Sequence, residues 1–289
     1  MKIAIVTDSS AYMSQTETKK LGVTVAPLTV MFGEKVYFEN ETISSAEFYD
    51  RMRSGQELPT TSQATIGRMD EIYRELAAQG YTDILSIHLS SKISGMCDSL
   101  SGFVRDYHGF TVHVVDSRSS SVGLADQVRL ATRMVRAGKT VDEILPVLQK
   151  FSQLVNVGFM VNDLRHLQRT GRLKGSAALI GNLLMIKPLL ALDDGAIVPT
   201  SKERTARRAL KHLAADAVDQ MNHLGMAGRY TLIDANNPRA IAILQTQILT
   251  AQPDAVIDRG EIGPAVGVHT GEGVVGVFTA PDWQQFPIE

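Results

Sequence analysis

The chain has 289 residues, enough for two domains or one large α/β domain, and 44% hydrophobic against 21% charged residues allow an ordinary buried core. A formal net charge of -2 argues against nucleic acid as the main partner, and the low aromatic content argues against base stacking. One cysteine, Cys97, excludes an internal disulfide and a thiolate-rich metal site and suits a reducing cytoplasm.

Met1-Lys2 runs straight into the apolar residues 3–6, too short a run for a signal peptide, and no stretch approaches the ~20 apolar residues of a membrane span. The expectation is a soluble, cytoplasmic protein. Residues 3–7 read as a short buried strand that ends at Asp8-Ser9-Ser10, a turn and helix cap. Residues 23–32 are β-rich and 36–38 can pair with them, after which Ser44-Ser45 cap a helix over 46–53. The sequence PTTSQAT at 59–65 is a polar loop entering a helix that runs to about 79. A second central strand over 83–89 leads into SSKISG at 90–95 and a helix over 96–106. A third strand over 111–115 ends at Asp116-Ser117, with helices at 124–136 and 141–151 beyond it. This alternation predicts a mostly parallel sheet, whose ligands sit at the carboxyl ends of the strands, where these hydroxyl-rich loops fall.

After Asn156 the pattern changes. Residues 157–161 are strand-like and 163–168 helical, and TGRLKG at 170–175 is a basic glycine loop. Strands at 187–192 and 196–199 flank Asp193-Asp194-Gly195, a hairpin signal. A long helix over 202–224 precedes a strand, helix and strand at 230–234, 240–250 and 256–259. The expected organisation is an N-terminal α/β domain over 1–158 carrying the hydroxyl-rich loops, and a C-terminal α/β domain over 159–289.

Residues 261–276, EIGPAVGVHTGEGVVG, set His269 between apolar strand-like runs, with glycines that let backbone approach a ligand. Gly271 to Gly276 spells Gly-x-Gly-x-x-Gly, but a dinucleotide fingerprint turns from a strand into a helix, and here residues 274–279 read as another strand. His269 is readable as a catalytic base, a donor to a bound anion, or a histidine satisfied inside a core. No His-x-x-x-His spacing supports a metal, and no Gly-x-Ser-x-Gly supports a serine hydrolase.

The loops at 7–10, 60–62, 90–94 and 116–121 each read as helix caps, and together as a nest of neutral donors for an anion. Arg165, Arg169, Arg172 and Lys174, with Lys202, Arg204, Arg207, Arg208 and Lys211, form two basic runs. Such runs are solvated helix faces or a face for phosphate or an acidic partner, and Arg172 stands apart in its glycine turn.

These motifs, in this order along nearly the whole chain, resemble the DegV family of bacterial fatty-acid-binding proteins. The resemblance rests on Thr7-Asp8-Ser9, PTTSQ at 59–63, SKISG at 91–95, LRHLQRTGRL at 164–173, KPLL at 187–190, Arg204-Thr205 and the segment 262–273. It implies a two-domain α/β fold with a long-chain fatty acid between or inside the domains, the carboxylate bound by Thr61, Ser62, Ser94 and His269. It further implies no cofactor and no activity alone. The protein would be the acyl-carrying subunit of a fatty-acid kinase in phospholipid metabolism, presenting the carboxylate to a separate ATP-binding subunit that makes the acyl phosphate. Arg172 and Arg204 match positions expected near that carboxylate or the partner. The reading involves no nucleic acid and no membrane span, and it allows transient contact with a membrane surface. Three departures from the family pattern are Ala64-Thr65 for Pro-Ser, Met96 for threonine and Glu272 for proline. The first two are expected to reshape the pocket, and Glu272 to bring negative charge near the carboxylate.

The physics fits, since burying ~15 methylenes is worth on the order of 12 kcal/mol before costs and a buried carboxylate needs donors. Two other readings stand beside it. One is a phosphoryl- or acyl-transfer enzyme with His269 as base or carrier and Ser94 as nucleophile. The other is a domain that only sequesters or transports lipid.

Overall fold

A computed structural model describes residues 2–55, 57–174 and 186–289. Its described elements are, in order, β1 (Ile3–Asp8), α1 (Gln15–Leu21), β2 (Val23–Ala26), β3 (Thr29–Phe32), β4 (Lys35–Phe38), α2 (Ser45–Ser54) and β5 (Thr60–Ser62). There follow α3 (Ile66–Ala78), β6 (Asp83–His88), α4 (Met96–Phe103), β7 (Thr111–Asp116), α5 (Ser121–Arg136), α6 (Val141–Ser152), β8 (Asn156–Met160) and α7 (Arg165–Arg169). The last are β9 (Lys187–Asp193), β10 (Ala196–Glu203), α8 (Ala206–His223), β11 (Gly228–Asp234), α9 (Pro238–Ala251), β12 (Ile257–Glu261), α10 (Pro264–Thr270) and β13 (Val275–Pro281). Of the glycine loop at 170–175, Gly175 lies outside the described residues.

The described residues form three sheets. The first, in the order β2-β1-β6-β7, is wholly parallel, as strand-helix alternation predicts. Its order reverses between β1 and β6, the kind of crevice in which α/β proteins bind ligands. A small antiparallel sheet, β4-β3-β5, is inserted between β2 and β6. The third sheet, β10-β9-β8-β13-β11-β12, is antiparallel in every pairing except β11 with β12.

Four local expectations change. Residues 60–62 are not loop but strand, because they pair with β3 despite having no apolar residue. Strand β10 runs on to Glu203, so the long helix begins only at Ala206, where the Thr205 side chain accepts from Arg208 N–H. A helix absent from the sequence reading, α1, starts at Ser14, whose hydroxyl accepts from Glu17 N–H. Most consequentially, residues 264–270 form α10 rather than a strand. The expected hairpin holds. Asp194 and Gly195 both have positive φ, 49° and 80°, in a two-residue connection between β9 and β10.

Alternation in the third sheet divides its faces. Met160, Leu189, Leu232, Val275 and Val277 pack with α8 and α9. Val157, Phe159, Leu190, Ile197, Ile233 and Phe278 point the other way. At the end of β1, Asp8 anchors the parallel sheet's carboxyl edge. Its Oδ2 accepts from Leu89 N–H at 3.0 Å and lies 3.1 Å from His88 Nδ1, while its Oδ1 accepts from Ser10 N–H and Oγ–H at 3.1 and 2.5 Å. The chain continues through His88 Nε2 to Ser86 (2.6 Å) and Tyr73 (2.7 Å), and Asp8, Ser86 and His88 have no exposed surface. Asp8→Ala strands several buried donors at once and is expected to cost about 3 kcal/mol or more, and Asp8→Asn less, as read by urea unfolding.

Candidate functional site

Between the inner face of the third sheet and the carboxyl edge of the parallel sheet lies a cavity of about 500 Å³, within the range of small-molecule sites. Ile197, Leu192, Val157, Phe159, Phe278 and Ile233 form one wall, drawn in turn from β10, β9, β8, β13 and β11. Four inter-strand steps make that wall ~19 Å across. Leu28, Leu89, Ile93, Ile262, Ala265, Val266 and Val274 extend the apolar lining.

The same cavity is lined by Thr61, Ser62, Ser94, His269 and Arg172. Five of the six residues singled out in the sequence are therefore brought together from β5, the loop after β6, α10 and the turn after α7. Arg204 does not line it. That residue is exposed at the far end of β10, seven residues beyond Ile197 and hence ~20 Å along the strand.

Thr61 projects from β5 and its Oγ1 lies 2.9 Å from His269 Nε2. His269 Nδ1 is buried without a partner among the described residues. Burial first, then the positive charges of Arg172 and Arg169, push the imidazole down to about pKa 4, so it is neutral at physiological pH. Placing the single proton on Nε2 leaves Nδ1 with an unsatisfied lone pair instead of an unsatisfied N–H. Thr61 then accepts from the ring and keeps its own O–H for a ligand. Ser94 Oγ accepts from Met96 N–H at 3.3 Å, a local turn bond just ahead of α4, and likewise keeps its proton as an available donor. Ser62 Oγ–H donates to Gln63 C=O at 3.3 Å. The Arg172 guanidinium donates to the carbonyls of Ile93 (3.3 Å, from Nε) and Thr170, and has no carboxylate partner among the described residues.

Among the described residues Ser94 and His269 share no hydrogen bond: His269 Nε2 meets Thr61 Oγ1, and Ser94 Oγ accepts from Met96 N–H. The departures from the family pattern fall outside the cavity wall. Ala64 and Met96 pack in the core beside the parallel sheet, and Thr65 caps α3 through Arg68 N–H. Glu272 is paired with Arg53 and accepts from Asn236 Nδ2 at 2.7 Å, so its charge is compensated away from the lining. Ser10, Ser120, Ser121 and Gln63 also line the cavity, and the first three lie in loops already marked as hydroxyl-rich. Glu39 and Tyr12, which hold α10 in place, carry no local signal of that role.

A cavity between parallel-sheet loops and an antiparallel-sheet face, apolar on one wall and carrying a hydroxyl and imidazole cluster, has the lining that suits an amphipathic small molecule. The sequence places the protein more narrowly. Residues 2–282 match the model of the family described as "Uncharacterised protein, DegV family", and the chain belongs to that family. It is 38% identical over 279 residues to a DegV domain-containing protein of Halalkalibacterium halodurans, covering 96% of this chain and 97% of that one. Among solved structures it is similar to DegV of Bacillus subtilis, described as a fatty acid binding protein, with a TM-score of 0.88, 33% identity and coverage of 97% and 99%. It is also similar to a fatty acid binding DegV family protein of Streptococcus agalactiae, with a TM-score of 0.91, 29% identity and coverage of 97% and 99%.

The depressed imidazole has a consequence for stability. The unfolded chain binds a proton at His269 near pH 6.5 and the native chain near 4, so stability present above pH 6.5 is lost as pH falls towards 4. This contribution is on the order of 3 kcal/mol at most. Relative to His269→Gln, the wild-type protein is expected to lose stability between pH 7 and 4, as measured by urea unfolding of both.

Proposed function

We propose that this protein binds a long-chain fatty acid as its carboxylate and presents that carboxylate to a separate ATP-binding kinase subunit. The acyl chain lies along the apolar wall from β10 to β11, and Thr61 and Ser94 donate to the carboxylate, with neutral His269 orienting Thr61; Ser62 joins them by turning its O–H from the Gln63 carbonyl to the ligand. The single observation that carries this reading is the gathering of Thr61, Ser94 and His269 in one cavity that has an apolar wall. The fatty-acid-binding descriptions of the Bacillus and Streptococcus relatives support the ligand class. In the transfer step a carboxylate oxygen attacks the γ-phosphorus of ATP, the bond to the β-phosphate oxygen breaks, and ADP leaves. Hydroxyl donors suit a nucleophile, because they satisfy the carboxylate without the bidentate arginine pairing that would quench it. Arg172, engaged by backbone carbonyls, is available to the incoming phosphoryl group, and exposed Arg204 to the partner surface.

Native mass spectrometry of the purified protein, followed by denaturing extraction, is expected to release about one long-chain fatty acid per chain. A protein that is empty and takes up no added fatty acid sinks the proposal. Ser94→Ala and Thr61→Val are each expected to weaken binding about tenfold, one hydrogen bond to a charged group being worth roughly 1.5 kcal/mol. With the kinase subunit and ATP present, the same variants should lower acyl-phosphate formation. Binding without any kinase-dependent product would leave lipid sequestration as the function.

A further inference from the structure

The helix that carries His269 is not capped by its own sequence. Its N-cap, Gly263, has no side chain, and its first residue, Pro264, has no N–H. The next two N–H groups are taken up from far along the chain. Ala265 N–H donates to Glu39 Oε1 at 2.7 Å, and Val266 N–H donates to the Tyr12 hydroxyl oxygen at 3.1 Å. Gly263 is obligatory here, since a Cβ would run into the Tyr12 ring. Glu39 is 1% exposed, and its second oxygen accepts from Ser9 Oγ–H at 2.5 Å, while Ser9 Oγ accepts from Leu28 N–H at 2.9 Å.

Glu39 immediately follows β4, and β4, β3 and β5 form one small sheet. Strand β5 carries Thr61, which meets His269 four residues, or ~6 Å, down the helix from Ala265. Helix and sheet are therefore joined at two points, by Glu39 at one end of α10 and by Thr61 with His269 at the other. We propose that Glu39 is a positioning residue for the carboxylate-binding end of the cavity: by holding the N-terminus of α10 it sets where His269 stands against Thr61. The inference deepens the fatty-acid reading and rests on it for its ligand.

A buried carboxylate is a costly way to hold a helix, which argues for a role that a neutral residue would not fill. Burial pushes the Glu39 carboxyl up to about pKa 7, opposed by the bonds from Ala265 and Ser9 and reinforced by the nearby charge of Asp8. The titratable groups around it are Asp8 at the end of β1, Tyr12 beyond it and Tyr49 of α2. The sign follows from linkage. Stability from the raised carboxyl is fully present below the unfolded value near 4.5 and is lost as pH rises through about 7. The ionised group thus costs folding stability at pH 8 while giving α10 its stronger, charge-assisted anchor.

The test compares the full-length protein with Glu39→Gln, using palmitate as the probe. At pH 8 the variant is expected to bind palmitate about tenfold more weakly, while its thermal midpoint is unchanged or higher. The gap in affinity should narrow as pH falls from 8 to 6, because the wild-type carboxyl then becomes neutral like the amide, and titration of the ligand itself cancels in the comparison. The ¹⁵N resonances of the His269 ring should shift in the variant without ligand. Equal affinity with unmoved His269 resonances overturns the proposal, as does a loss of affinity matched by an equal loss of folded stability. If wild-type protein takes up no palmitate, the fatty-acid reading fails, and the His269 resonances alone still decide whether Glu39 positions the ring.

Discussion

Everything at this site depends on one constraint: polar groups buried at a cavity find their partners either in the protein or in a ligand. The 2.9 Å contact between Thr61 and His269 meets it by letting one group supply what the other lacks. The ring is held neutral by burial and by two neighbouring arginines, so it asks for no counter-ion. Thr61 and Ser94 are well suited to this role, because each accepts from the protein while keeping a proton for a guest, Ser94 by accepting from Met96 N–H. An arginine in the same place would need a permanent carboxylate partner or a large desolvation cost.

The architecture makes room for this cluster by joining two unlike sheets. Parallel strands leave their carboxyl-end loops free, and those loops carry Ser10, Ser94 and Ser120, while the small sheet supplies Thr61 and Ser62. The antiparallel sheet, covered by α8 and α9 on its outer face, offers an apolar inner face to the same space. Helix α10 and the small sheet close the polar end, and neither is stable by local means. Strand β5 has only three polar residues, and α10 has seven residues with its N–H groups capped from positions 12 and 39.

This division explains what was legible. Strands β1, β6 and β7 announce themselves through apolar runs ending in Asp or Ser, and the β9–β10 hairpin through Asp-Gly. The segment 264–270 reads as strand because valine and glycine disfavour an isolated helix, and tertiary caps override that preference. The family resemblance matches Arg172 and Arg204 to the same role, yet one lines the cavity and the other sits at the distant end of β10. Ala64 and Met96 sit beside functional motifs but point into the core.

By itself the sequence determined the alternating strand and helix pattern, the hydroxyl loops and the ordered motifs that place the chain in its family, because these follow from local periodicity, turn chemistry and residue identity. Only the tertiary structure decided that Thr61 and His269, 208 residues apart, share a hydrogen bond, and that Glu39 meets the N-terminus of the helix that carries His269. It alone also decided that His269 is neutral. Contacts across sheets and burial from water are properties of the packed chain, and no window of residues contains them.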